Sequence, residues 1–410
     1  MRLSKFISSA ALFILLSLVG CDYSYAQEIA VRGETIYTMA GAPIKDGVVL
    51  VRGGKIERVG AATQVQIPAN YRVLMAKVVT PGLIDARSSV GLSGYLNQPQ
   101  DQDQLERSSA MQPELRAIDA YNPREKLVEY LRSFGITTLH TGPSAGTLIS
   151  GQTMIIKTIG EVDSPALLNP SAMIAASIGQ AAIGEGGKSP GTRSKAIAML
   201  RAELLKAKEA QGKASSSKDE QKGARDLHME QIMRVIRGEV PLLVNVQRAN
   251  DIVSLLRVAR EFNIKIVLDG AAESYLVANQ IKAMNVPVII HPTMARNVGE
   301  AENMSMETAA TLHRAGIPVA LQSGFEGYVP KTRVVLFEAA EAAANGLSFT
   351  DALATITIDA ARILGINNRT GSLEQGKDAD LALFDGDPFE FTSHVTGVVI
   401  DGKVVSEEKK

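Results

Sequence analysis

The sequence predicts an α/β protein, specifically a (β/α)8 TIM-type barrel with a small β-sandwich domain built from both termini. In the middle of the chain, short apolar strands alternate with amphipathic helices, as in the strand at 241–246 and the helix at 252–262. Strands and turns without intervening helices occupy both ends, at 28–79 and 379–405. The 410 residues, 45% of them hydrophobic, suffice for two cores. The spacing alone also allows a doubly wound sheet.

The elements follow in order from periodicity and turn chemistry. Near the N-terminus, the strands at 47–51 and 56–59 flank the turn Arg52-Gly53-Gly54-Lys55. The pattern then predicts a polar active-site loop at 94–118 and a solvated loop at 211–227. The remaining predicted helices are 123–133, 194–210, 228–237 and 275–284, and the remaining strands are 134–140, 264–268, 286–290, 317–321, 379–384 and 395–400. These elements divide the chain into an N-terminal targeting segment (1–26), the first part of the β-sandwich (27–79), the barrel (80–365) and the second part of the β-sandwich (366–410).

Composition excludes several function classes. The net charge of −1 provides no global field to attract nucleic acid. Aromatic residues make up 5% of the chain and tryptophan is absent, so stacking platforms for bases are scarce. The single cysteine excludes an internal disulfide framework.

The first residues have the pattern of an export signal. Arg2 and Lys5 precede an apolar stretch at 6–19, which is short for a membrane span. The stretch ends in Leu-Val-Gly-Cys21, which resembles a bacterial lipobox whose cysteine is lipidated. Cleavage after Ala26 is the alternative, and it would remove Cys21. Either reading predicts an exported, periplasmic protein, which in the first case contacts the membrane only through a lipid anchor at Cys21.

Residues 81–89, Pro-Gly-Leu-Ile-Asp-Ala-Arg-Ser-Ser, are the most informative stretch. They resemble the amidohydrolase superfamily signature Pro-Gly-Leu-Ile-Asp-x-His-x-His. Residues 369–381 resemble the superfamily's C-terminal return into the β domain, and 190–193 and 237–252 are most similar to its imidazolonepropionase-like branch. The resemblance covers roughly 28–406. It implies the barrel-plus-β-domain fold and hydrolysis of C–N bonds, in dipeptides or non-peptide amides, at a divalent metal.

The resemblance also places the family's metal ligands at the C-terminal ends of the barrel strands. Here these positions are vacated: Arg87 and Ser89 replace the two histidines, Asn245 and Gln247 replace a His-Ala-His motif, Gly270 stands near the next histidine, and Gly324 replaces an aspartate. A permanent guanidinium cation would repel a divalent ion. We therefore expect no cofactor, and a zinc ion only if this interpretation fails.

Candidate catalytic residues are Ser89, His140, Glu273 and His291. A serine hydrolase could use Ser89 or Ser323 as nucleophile, His140 or His291 as base and Glu273 to orient the base, although no Gly-x-Ser-x-Gly motif marks either serine. The candidate ligand-binding residues are Arg87, Ser89, His140, Asn245, Gln247, Glu273, His291 and Ser323. Arg87 either binds a carboxylate or phosphate, or pairs internally with Asp85, Asp269 or Glu273.

The sequence therefore predicts an exported, catalytically degenerate amidohydrolase-like protein. It would bind a small, possibly anionic molecule or scaffold an active homologous amidohydrolase. The alternative is an active C–N hydrolase with a non-standard or metal-free site.

The lipobox interpretation predicts that Cys21 carries acyl chains. Metabolic labelling with a radioactive fatty acid in a bacterial host should label the wild-type protein and not the Cys21→Ala variant, because the thiol is the attachment point. A label of equal intensity on both proteins, or on neither, would contradict lipidation and favour cleavage after Ala26.

Overall fold

A computed structural model describes residues 28–96, 98–184, 188–216, 225–291, 299–326, 329–330 and 335–410. The targeting segment with Cys21 lies outside the described residues. Within the described ranges, no helix combines the length and the apolar composition needed to cross a membrane.

The strands in the first part of the chain are β1 (Ile29–Ile36), β2 (Ile44–Arg52), β3 (Lys55–Ala61), β4 (Arg72–Pro81), β5 (Leu83–Ser88), β6 (Ile136–Thr141), β7 (Ile149–Gln152), β8 (Met154–Lys157), β9 (Leu167–Asn169) and β10 (Ile174–Ser177). The later strands are β11 (Leu242–Val246), β12 (Ile266–Gly270), β13 (Val288–Ile290), β14 (Val319–Leu321), β15 (Phe325–Glu326), β16 (Val329–Pro330), β17 (Leu381–Phe384), β18 (Val395–Ile400) and β19 (Lys403–Ser406). The helices are α1 (Lys126–Ser133), α2 (Arg193–Ser216), α3 (Leu227–Ile236), α4 (Ala249–Phe262), α5 (Ala278–Ala283), α6 (Thr308–Arg314), α7 (Val335–Ala344), α8 (Phe349–Thr355) and α9 (Ile358–Ile363).

Strands from both termini share one sheet, in the order β19-β18-β17-β4-β1-β2-β3. The sheet curls, because the turn at its β2–β3 end meets the turn at its β18–β19 end. Gly54 and Gly402 make this approach possible: both have positive φ, and a Cβ on Gly402 would lie 2.8 Å from the Gly54 Cα. The inner face buries an apolar core that includes Val31, Val49 and Leu381. A sandwich of two separate sheets stays a prediction.

The middle of the chain forms two arcs of mainly parallel strands. One arc runs β14-β13-β12-β11-β10-β7, with β7 antiparallel, and the other runs β5-β6-β8-β9, with β8 and β9 antiparallel. Alternate residues from both arcs bury one shared interior cluster, to which Ile84, Ile155, Leu243, Val267 and Ile289 belong. A second and larger cluster packs the strands against the helices. The carboxyl ends of the parallel strands therefore face one mouth.

The hairpin elements β7 to β9 are a feature that periodicity missed. Their segments are three or four residues long, and Ile149–Gln152 contains serine, glycine and glutamine, so no alternating apolar pattern is present. The helix predicted at 275–284 is also only partly correct. It begins as a 3₁₀ turn at Ser274–Val277 and becomes α-helical from Ala278.

Lys157 on β8 joins the strand arcs to the terminal sheet. Its side chain is completely buried, and Nζ donates to Asp378 Oδ2 at 2.9 Å, to Asp380 Oδ1 at 3.0 Å and to Asp401. Burial alone would lower the pKa of Lys157, but Asp380, Asp401 and Asp378 raise it above its ordinary value. The ammonium is therefore charged and held by carboxylates of the C-terminal segment.

Replacing Lys157 with Met should destabilise the protein by about 3–5 kcal/mol, because the buried carboxylates would lose their shared cation. Urea denaturation followed by circular dichroism measures this loss. Lys403→Met is the matched control, since Lys403 is exposed on β19 of the terminal sheet, to which the buried cluster connects the strand arcs. A Lys157→Met variant as stable as the control would contradict a joining role for this cluster.

Candidate functional site

A cavity of about 460 Å³ opens at the carboxyl ends of β5, β11, β12, β13 and β14. Active sites of barrel folds lie at this end, because the strand-end loops converge there. Its lining is polar and consists of Arg87, Ser88, Ser89, Gln102, Gln104, Leu105, Arg107, Ser144, Ala145, Asn245, Gln247, Asp269, Gly270, Ala272, His291, Ala301, Gln322 and Gly324.

Arg87 occupies the floor of this cavity and is 6% exposed. Its Nε lies 3.7 Å from Asp269 Oδ2, its Nη1 donates to the Ser88 carbonyl at 2.8 Å and its Nη2 donates to the Pro143 carbonyl. Burial lowers the pKa of Arg87, while Asp269 and Asp85 oppose that effect. Of the two sequence-based alternatives for Arg87, internal pairing with Asp269 is the one that the structure contains.

Asp269 is in turn fixed by two carboxamides. Gln322 Nε2 donates to its Oδ1 at 2.6 Å, and Asn245 Nδ2 donates to its Oδ2 at 3.4 Å. These residues lie at the ends of three strands, β11, β12 and β14, so the ion pair holds the floor of the mouth together. A fixed positive charge and its partner thus stand at the position where the sequence resemblance would place a metal.

The two glycines that the sequence resemblance places at or near metal-ligand positions are surrounded by other side chains. Gly270 and Gly324 have φ of +78° and +70°, which side-chain-bearing residues rarely adopt. A Cβ on Gly270 would lie 2.5 Å from Gln247 Nε2, and one on Gly324 would lie 2.7 Å from His291 Nε2. Gln247 and His291 therefore fill the space that a metal-ligating histidine and aspartate would need.

This donor set does not fit a divalent metal. Zinc sites combine imidazole, thiolate and carboxylate donors in close geometry, and an arginine in that position cannot coordinate. Across the ranges that the structure describes, no group of three or more His, Cys, Asp or Glu side chains is arranged to hold an ion. We therefore derive no catalytic step through a metal.

The structure brings several predicted site residues together. Arg87, Ser89, Asn245, Gln247 and His291 all line the cavity. Ser89 is 1% exposed, and its hydroxyl has no hydrogen-bond partner among the described residues. His291 faces the cavity on one side, and on the other its Nδ1 lies 3.4 Å from the buried Glu338 carboxylate.

The contacts of His140, Glu273 and Ser323 contradict the site roles predicted for them. His140 is fully buried, with Nδ1 donating to the Ala86 carbonyl at 2.8 Å and Nε2 2.7 Å from Thr153 Oγ1. Burial and the charge of Arg87 lower the pKa of His140 to about 3. A neutral imidazole with both nitrogens occupied is a structural residue and not a base at the cavity.

Glu273 and Ser323 are also occupied elsewhere. The Glu273 carboxylate accepts from the backbone N–H of Ala249, the first residue of α4, and from Asn303 Nδ2, both at 2.7 Å. It therefore caps a helix instead of orienting a base. The Ser323 hydroxyl is fully buried and donates to Asp85, so it is not available as a nucleophile or ligand contact.

Residue-by-residue reasoning missed Gln102, Gln104, Arg107, Ser144, Gln322 and Glu338. The polar segment 94–118 was predicted to be an active-site loop, and three of these residues come from it. Gln322 is adjacent to a candidate, Ser323, but nothing in the sequence indicates that its amide reaches Asp269. Glu338 lies within a mainly apolar helical segment, and only the fold places it beside His291.

Asp85 predicts a pH dependence of stability. Burial raises the pKa of this carboxyl to about 6, although hydrogen bonds from Ser323 oppose the shift. The folded state thus binds the proton more tightly than the unfolded chain, so this contribution to stability is complete below about pH 4 and is lost as pH rises through about 6. Relative to Asp85→Asn, the wild type should gain on the order of 3 kcal/mol between pH 7 and pH 4.

Parallel urea titrations of wild type and Asp85→Asn across this pH range measure that difference, with the pH dependence shared by both proteins subtracted. Asp163→Asn, a change in an exposed carboxyl between β8 and β9, should leave the wild-type pH dependence unchanged. A difference that stays constant from pH 4 to pH 7 would contradict the assignment to Asp85.

Comparison with known proteins places this geometry in context. Residues 266–406 match the model of the Amidohydrolase family. An amidohydrolase, tasK, from Hapsidospora irregularis is 26% identical over 399 residues, and the match covers 87% of this chain. The chain spans only 39% of that protein's length. An imidazolonepropionase from Mesorhizobium japonicum is 40% identical over 73 residues, 18% of each chain.

Solved structures extend the similarity to almost all of the described chain. An amidohydrolase from Thermotoga maritima superposes with a TM-score of 0.87 at 28% identity, over 93% of this chain and 100% of that one. An adenosine deaminase from Xanthomonas campestris, solved with bound zinc, superposes with a TM-score of 0.52 at 15% identity, over 92% of each chain, which supports the fold alone. With the β-domain strands at both ends, the strand-end cavity and the signature-like segment at 81–89, these matches show that the chain is similar to amidohydrolases over most of its length.

Proposed function

We propose that this protein is a metal-free amidohydrolase relative whose strand-end cavity binds a small molecule without hydrolysing it. The observation that carries the proposal is the Arg87–Asp269 pair, which stands where the family resemblance puts the catalytic ion. A cation fixed by a carboxylate supplies positive charge, but it has no exchangeable water to activate and no open coordination position.

The surrounding residues support the same reading. Restoring a metal would require more than new ligands, because Gln247 and His291 occupy the volumes beside Gly270 and Gly324. Several compensating changes on different strands would have to occur together. This arrangement favours a cavity that binds a ligand over a metal centre that has lost only its ligands.

The proposal includes the finer features of architecture and location. We propose that the two strand arcs are the wall of one (β/α)8 barrel and that the curled terminal sheet is its β-sandwich domain. We also propose export to the periplasm through the 1–26 segment, with Cys21 as the lipid anchor. A homologous amidohydrolase with intact histidines is a candidate protein partner for such a scaffold.

A second function is a metal-free hydrolase of C–N bonds. It is favoured by the buried Ser89 hydroxyl, which has no hydrogen-bond partner within the described part of the chain, and by His291, which lines the same cavity with Glu338 behind it. Ser89, His291 and Glu338 are the residue types that a nucleophile, a base and an orienting acid require. The amidohydrolase names of the relatives agree with this class of reaction.

Metal analysis and a hydrolysis screen separate the two functions. The purified protein should contain zinc, manganese and iron well below one ion per chain, and a metal chelator should leave its melting temperature unchanged, because no folded ligand set depends on the ion. Amides, cyclic imides and dipeptides should not be turned over.

Ser89→Ala and His291→Ala test the alternative directly. Turnover that both variants abolish would replace the binding proposal with the metal-free hydrolase. One stoichiometric metal ion whose removal lowers the melting temperature would contradict the metal-free proposal itself.

A further inference from the structure

We infer that the cavity at the strand ends selects an uncharged small molecule that offers both hydrogen-bond donors and acceptors. This inference rests on the proposed binding function and adds the chemical class of the ligand. It departs from the expectation of an anionic ligand, which came from Arg87 considered alone.

The charges at the cavity floor are already balanced. Arg87 has Asp269 beside it and donates to the carbonyls of Ser88 and Pro143. His291 likewise has Glu338 behind it. An incoming carboxylate or phosphate would have to compete with Asp269 for the guanidinium, and it would be desolvated without gaining an uncompensated cation.

Among the described lining residues, Arg107 is the remaining one with a charged side chain, and its position differs from that of Arg87. It is exposed at the rim of the cavity, where water and salt screen its charge. A rim arginine can attract an anion from a distance, but it adds little to binding at the floor.

Three buried polar groups of the lining are ready to bind a ligand. The hydroxyls of Ser89 and Ser144 and the side-chain oxygen of Gln104 have no hydrogen-bond partner among the described residues. Their residues are 1%, 5% and 8% exposed, respectively. Buried polar atoms left unpaired cost free energy, and a ligand that pairs with them recovers it.

These groups come from three separate segments that meet at one mouth. Ser89 follows β5, Gln104 belongs to the polar loop at 94–118, and Ser144 follows β6. The Ser144 N–H donates to the Gln104 carbonyl at 2.7 Å, which fixes the last two residues beside each other. A backbone hydrogen bond therefore holds two of the three groups, those of Gln104 and Ser144, next to each other in the lining.

The rest of the lining is rich in carboxamides. Asn245, Gln247 and Gln322 lie at the strand ends, and Gln102 and Gln104 lie in the loop. A carboxamide carries a donor and an acceptor side by side, and a hydroxyl can serve as either. Such a surface complements neutral amides, ureides or polyols, and the cavity volume of about 460 Å³ suits a molecule of this size.

Matched probes test the charge preference. Isothermal titration calorimetry would compare N-acetylglycylglycinamide with N-acetylglycylglycine, which differ only in the terminal amide or carboxylate, and would include myo-inositol as a neutral polyol. We expect the amide or the polyol to bind at least about tenfold more tightly than the carboxylate. The neutral probe that binds more tightly indicates whether the cavity prefers amides or polyols.

Ser89→Ala and Ser144→Ala should each weaken binding of that neutral probe by about threefold to tenfold. Ser274→Ala is the matched control, because Ser274 also buries a hydroxyl without a partner among the described residues but lies outside the cavity lining. The control should bind like the wild type, and melting temperatures identify any variant that is misfolded.

Tighter binding of the carboxylate, no binding of either neutral probe, or equal effects of Ser89→Ala and Ser274→Ala would overturn the inference. The metal content of the same preparation separates this result from failure of the proposed function. A metal-free protein that prefers the carboxylate contradicts only the ligand class, whereas a stoichiometric metal ion contradicts the binding proposal beneath it.

Discussion

The compensation of one buried guanidinium is the constraint around which this site is arranged. Arg87 is almost fully enclosed at the floor of the mouth and cannot lose its proton at any physiological pH, so a carboxylate must stay beside it. Asp269 supplies that carboxylate, and Gln322 and Asn245 fix its orientation. Three further strand ends are thus committed to keeping one cation in place, which explains why the floor contains amides where a metal centre would contain histidines.

The residues that differ from the amidohydrolase signature resembled by this sequence are physically linked. Gly270 leaves room for the Gln247 amide, and Gly324 leaves room for the His291 ring. Each small residue permits a larger neighbour to enter the mouth. Site chemistry and fold can separate in this way because the core contacts of the two strand arcs lie below the mouth, in the interior cluster of Ile84, Leu243 and Val267.

How much of this could be predicted from the sequence differs between fold and site. The strand at 241–246 and the helix at 252–262 are confirmed as β11 and α4, because long amphipathic segments carry a strong periodic signal. The short polar strand β7 carries none. In the site, the sequence shows that residues 87 and 89 differ from the signature. It does not show that both ring nitrogens of His140 form hydrogen bonds, with the Ala86 carbonyl and the Thr153 hydroxyl. Hydrogen bonds between residues far apart in sequence have no local pattern, so only the fold shows which histidine reaches the cavity.

The strand order of the terminal sheet imposes a sequence of events on synthesis. One edge of β4 pairs with β17, which is made some three hundred residues later. Until the ribosome reaches the last segment, β4 presents an unpaired edge, and Asp378 and Asp380, which neutralise Lys157, do not yet exist. The nascent chain therefore carries an exposed strand and a lone ammonium through most of its translation. A chaperone that covers strand edges would protect this intermediate from aggregation, and synthesis of Asp378, Asp380 and β17 would be the event that completes both halves of the molecule together.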